Sequence, residues 1–84
     1  MAEEILRYFV DHPSAADSLE GIAKWRLSYA SSGNLARTAR ALTRLVGLLF
    51  IEEIPILGSD PVFRLQETNK VAAKEFLARR KRRG

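Results

Sequence analysis

The feature that most constrains this chain is a change of period just after residue 46. At 100° per residue counted from Arg37, the apolar residues Leu35, Ala39, Leu42, Leu45, Val46 and Leu49 fall between about 80° and 200°, one face of a helix. Directly afterwards, Leu49-Phe50-Ile51-Glu52-Glu53-Ile54 is rich in strand formers. A helix over residues 34–46 must therefore feed a strand with almost no connector. Gly47 stands where a left-handed residue usually closes a helix. Val62-Phe63-Arg64-Leu65 reads as the partner strand, and Pro55, Gly58 and Pro61 bracket a hairpin loop of about six residues.

Helices flank this unit. Ile5, Leu6, Phe9 and Val10 share one helical face, and that helix must stop near His12, because the residue before Pro13 is pushed out of the α region. Asp17 or Ser18 caps a second helix, with Glu20 in its first turn. Along it Leu19, Ile22, Ala23 and Ala30 project to one side, with Arg26 between them and Trp25 on the flank. Ser31-Ser32-Gly33 has a loop composition, and Asn34 is the next cap. Thr68 or Asn69 caps a last helix carrying Val71, Ala72, Phe76 and Leu77. The expected fold is α+β, mainly α: three helices, a β-hairpin and a C-terminal helix in one domain, 1–78. Residues 79–84 are expected to form a basic, disordered tail.

Composition excludes several functional classes. The chain has 84 residues and no cysteine, so it offers one ordinary domain, no disulfide framework and no thiolate chemistry. The longest apolar run, Leu45 to Ile51, is far below the ~20 residues that span a bilayer. Met1-Ala2-Glu3-Glu4 is acidic, the opposite of a signal peptide's start, so a cytoplasmic protein with no membrane partner is expected. A chain this short buries only roughly 60–65% of its unfolded surface, which favours association with a second copy.

The net charge of +4 conceals strong segregation. Residues 1–23 hold one basic and five acidic side chains, and residues 24–46 hold five basic and none acidic. Residues 47–69 hold one basic and four acidic, and residues 70–84 hold seven basic and one acidic. An interaction face needs local charge rather than net charge, so these blocks carry more information than the sum.

The element order, with the stretch Ala36-Arg37-Thr38-Ala39-Arg40-Ala41-Leu42-Thr43-Arg44-Leu45-Val46-Gly47-Leu48-Leu49-Phe50-Ile51-Glu52-Glu53, resembles the winged helix-turn-helix family. The resemblance covers roughly residues 2–66 and rests on apolar positions and one turn. It implies a third helix that enters the DNA major groove and a wing, residues 55–61, that touches the neighbouring backbone. Two features depart from the family. The segment around Ser31-Ser32-Gly33 has the composition of a longer loop than the family's tight turn. The segment Pro55–Pro61 has no Lys or Arg, carries Asp60 and follows Glu52-Glu53, so phosphate would repel it.

Arg37, Arg40 and Arg44 lie at about 0°, 300° and 340°, opposite the apolar arc, and form a cationic stripe. The planar guanidinium fork pairs bidentately with guanine or phosphate. Asn34, Thr38 and Ala41 complete the expected nucleic-acid contact set. The plain alternative is a solvated face without acidic partners, in which Arg40 and Arg44 repel each other slightly. Arg79, Arg80, Lys81, Arg82 and Arg83 would add non-specific phosphate attraction, or simply solubility.

Other residues carry less. His12 reads as a solvent-facing helix end; Glu52 and Glu53 point to opposite strand faces and cannot act as a carboxylate pair. No metal-ligand cluster, phosphate-binding glycine loop or cofactor cradle is present, so no enzyme, metal or cofactor is expected. Trp25, Tyr8 and Tyr29 read as seals on a small core more than as an exposed aromatic surface. Ile56 and Leu57 place apolar groups at the hairpin tip, where they either fold under or meet a protein. Val71, Phe76 and Leu77, or the acidic first helix, are the candidate homodimer interface. The expected function is double-stranded DNA binding by a transcriptional regulator. The alternative is a winged-helix adaptor that meets a protein through its wing or first helix.

Overall fold

In the computed structural model the described residues are 2–26 and 32–83, with side chains described for 2–24 and 35–80. Tyr29, Ala30 and Ser31 lie outside them, as do the side chains of Trp25, Arg26, Asn34, Lys81, Arg82 and Arg83.

Helix α1 spans Ala2–Asp11 and buries Ile5, Leu6 and Phe9, the face expected from their spacing. It stops ahead of Pro13, and a turn closed by the Ala15 N–H on the His12 carbonyl (2.9 Å) redirects the chain. Strand β1, Ala16–Ser18, follows and was not expected. Helix α2, Leu19–Arg26, starts directly from it. Ser18 is its cap: the Gly21 N–H donates to Ser18 Oγ at 3.2 Å, satisfying a donor that the first turn leaves without a helical partner. Helix α3 runs Ser32–Gly47, so Asn34 lies inside the first turn rather than ahead of it, and Ser32 and Gly33 belong to the helix instead of a loop.

The closure of α3 also differs from expectation. Gly47 is its last helical residue, and Leu49, with φ of 66°, adopts the left-handed conformation. The Phe50 N–H bonds the Leu45 carbonyl at 3.1 Å and the Leu49 N–H bonds the Val46 carbonyl at 3.0 Å. These are the 6→1 and 5→2 bonds of a Schellman closure, and the flanking Leu45 and Phe50 are both buried in the core. The motif chooses its left-handed residue by distance from that apolar pair, which puts it two positions beyond the glycine.

Strands β2 (Ile51–Ile56) and β3 (Ser59–Leu65) form the hairpin, and β1 pairs antiparallel with β3, giving the order β1-β3-β2. The expected six-residue loop is shorter: Ile56 pairs with Ser59, leaving the two-residue turn Leu57-Gly58 with Gly58 at φ 76°. Pro55 fits because β2 is an edge strand. Pro61 fits because the register slips by one residue between the Ile54–Val62 and Ile56–Ser59 pairs, and β1 ends at Val62. A 3₁₀ turn, Glu67–Asn69, leads into α4, Lys70–Arg83. Asn69 directly precedes α4, at the position expected for its cap, and its side-chain amide donates to the Leu49 carbonyl at 3.0 Å. Residues 79–83 continue α4 rather than forming a disordered tail.

One core joins these elements: Ile5, Leu6 and Phe9 of α1, Ile22 of α2, Leu42 and Leu45 of α3, Ile51 and Leu65 of the sheet, Ala73 and Leu77 of α4. The architecture is α+β and mainly helical, with a three-stranded antiparallel sheet, in a small winged-helix-like layout.

Candidate nucleic-acid interface

Helix α3 packs between α1 and α2 with a rotation that the apolar count alone does not give. Its buried residues are Thr38, Ala41, Leu42 and Leu45, centred near about 90° on the wheel rather than about 140°. Thr38 is 0% exposed and Ala41 is buried, so both leave the expected contact set and belong to the core. Leu35 is exposed because it precedes the packed part of the helix, and Leu49 because it has left the helix.

Arg37, Arg40 and Arg44 are all exposed. Among the described residues the ion pairs are Arg64–Glu52 at 3.2 Å, across β3 and β2, and Arg80–Glu3 at 3.4 Å, between α4 and α1; none involves the three α3 arginines. The rotation places Arg40 closest to the outward direction and swings Arg37 and Arg44 toward the α1 and α4 side. Thr43 shares the outward face, but its hydroxyl donates back to the Ala39 carbonyl at 2.9 Å.

Arg44 shares a cavity of about 320 Å³ with Arg80, where the start of α1, the end of α3 and α4 converge. Ala2, Glu3, Leu45, Leu48 and Phe76 complete its wall. Arg80 is held there by Glu3 and by the Phe76 ring, whose centroid lies 5.0 Å from its guanidinium carbon. Of the expected phosphate-contacting run, Arg79 is exposed and unpaired among the described residues, whereas Arg80 already has a partner. Cationic surface thus runs from α3 toward α4, away from the hairpin.

The hairpin offers no cation at its tip. Glu53 and Asp60 are exposed, and Arg64 is spent on Glu52. Ile56 and Leu57 do not fold under; Leu57 is 104% exposed. The candidate interface on α4 needs correction too. Leu77 is buried and Phe76 half-buried, packed against Phe50 at 5.2 Å, so only Val71 of the three is free to meet a partner. The acidic start of α1 is partly covered by the same helix through the Glu3 ion pair. His12 is exposed at its helix end, stacked near Tyr8, whose hydroxyl donates to Asp17 at 3.5 Å.

Among the described residues no group of three His, Asp or Glu side chains is placed to hold a metal ion, and no helix is long and apolar enough to cross a membrane. No family model matches the chain, and neither curated proteins nor solved structures yield a match to it.

Proposed function

We propose that this protein binds double-stranded DNA as a winged-helix regulator, with α3 in the major groove. The observation that carries the reading is that Arg37, Arg40 and Arg44 stand exposed on one helix flank with no ion pair among the described residues. Three guanidinium groups without carboxylates retain their full capacity for bidentate contact with guanine or phosphate. Arg80 of α4 lines the same cavity as Arg44, so the duplex would lie toward α4 and avoid the acidic hairpin. Neutralising roughly 6–8 phosphates gives a slope of log K against log salt near −5 to −7.

The test compares duplex binding across a salt series for the intact chain, a chain ending at Ala78, and Arg37/Arg40/Arg44→Glu. Binding that survives truncation and disappears on charge reversal supports α3 as the reader. Binding abolished by truncation alone would assign the whole effect to the basic end of α4 and overturn the reading. A second function, protein recognition through the hairpin, is favoured by one observation: Leu57 stands fully exposed beside Ile56 on a hairpin whose tip lacks any cation. Absence of duplex binding by the intact chain at low salt would leave that adaptor reading in place.

A further inference from the structure

On the other side of α3 from its arginines, a second cavity of about 320 Å³ opens where α2 and the start of α3 meet the hairpin. Its floor is apolar, formed by Leu19, Leu35, Pro61 and Phe63. Its rim carries three carboxylates, Glu20, Glu53 and Asp60, and among the described residues no basic side chain lines it. None of the three carboxylates is paired among the described residues. Such a site suits an apolar side chain flanked by cations: the floor is removed from water, and the incoming charges relieve the mutual repulsion of the rim.

Three exposed surfaces of the same chain compete for this role. The hairpin tip has the largest apolar projection, but docking it would bring Glu53 and Asp60 of one copy against the same residues of another. The α3 stripe has cations, but the apolar residue beside it, Leu48, lines the cavity that Arg44 shares with Arg80. The outer ridge of α4 has both. Val71 is 71% exposed there, with Lys74 on one flank and Arg79 on the other; the exposed Glu75, the helix's lone acidic residue, stands between them, four residues before Arg79 and so placed to pair with it, which leaves the ridge net positive. We propose that the cavity receives the α4 ridge of a second copy of this chain, with Val71 on the apolar floor and Lys74 and Arg79 facing Glu20, Glu53 and Asp60. The contact joins two different patches, so it occurs twice in a two-fold pair or propagates head to tail. It uses none of the α3 arginines, but Arg79 also belongs to the expected phosphate-contacting run, so self-association is measured without DNA, where its failure leaves the DNA reading standing.

The test is self-association of the full chain, followed by sedimentation over a concentration series. Glu53→Lys/Asp60→Lys weakens association at least about tenfold, and so does Lys74→Glu/Arg79→Glu. All four positions are exposed, so these changes leave the core untouched. An equimolar mixture of the two variants associates again, because each reversed patch meets its reversed complement. By itself, an Arg37→Glu/Arg40→Glu chain, whose two patches are intact, associates as the unaltered chain does, which separates patch pairing from bulk charge attraction. In the unaltered chain, the amide signals of Phe63 and Val71 shift together as concentration rises. A monomer at every concentration, association indifferent to the four charges, or equal weakening by the Arg37→Glu/Arg40→Glu control would each overturn the proposal.

Discussion

Leu49 holds a conformation that costs an L-residue roughly 1–2 kcal/mol relative to glycine, and 64% of its surface stays in water, so little burial repays it. The penalty is tolerated because Leu45 and Phe50 close over the helix end and Asn69 grips the Leu49 carbonyl. Leu49→Gly should therefore stabilise the fold by about 0.5–1 kcal/mol once glycine's extra chain entropy is subtracted. A thermal melt would show this as a rise of a few degrees, and an unchanged or lower Tm would contradict the strain assignment. Ser18→Ala removes the α2 cap and should cost about 1 kcal/mol in urea unfolding.

At the scale of elements, the proposed DNA-binding reading divides α3 between its exposed arginines and the buried Thr38. Arg40→Ala, at the position nearest the outward direction, should lower the slope of log K against log salt by about 1 while leaving the melt unchanged. Thr38→Ala should do the reverse, destabilising by roughly 1–3 kcal/mol without altering the salt slope. Periodicity made α1, α3 and the hairpin legible, because each has apolar residues at the spacing its structure demands. It did not reveal β1: Ala16-Asp17-Ser18 has no alternating apolar pattern, and its pairing depends on residues 62–64, distant in sequence. It also misjudged the roll of α3, since a buried threonine counts as polar on a wheel, while Leu35 and Leu49 count as core although they lie outside the packed turns. The prolines suggested a long loop, but an edge strand and a register slip accommodate both. The exposure of the arginine stripe was legible from its spacing, and its tilt toward α4 was not.

For the whole molecule, α4 is part of the core rather than an appendage. Leu77→Ala should cost about 2–3 kcal/mol, because Leu77 packs with Ala73 against the shared core, and urea unfolding would register the loss. A chain ending at Ala78 should instead remain folded. It keeps Ala73 and Leu77 and loses the Arg80–Glu3 pair, an exposed interaction of about 0–1 kcal/mol. Persistence of cooperative unfolding in the truncated chain, and its weakening in Leu77→Ala, would together locate the domain boundary.

The bond from Asn69 to Leu49 has a mechanical consequence. It fastens the root of the terminal helix to the very turn at which the arginine-bearing helix ends, while Phe76 braces Phe50 one step further on. These two helices are thereby clamped at a shared pivot, and a load that tilts one of them must be transmitted to the other or break the clamp. A partner seated on the far side of the terminal helix would thus load the same pivot that ends the arginine-bearing helix.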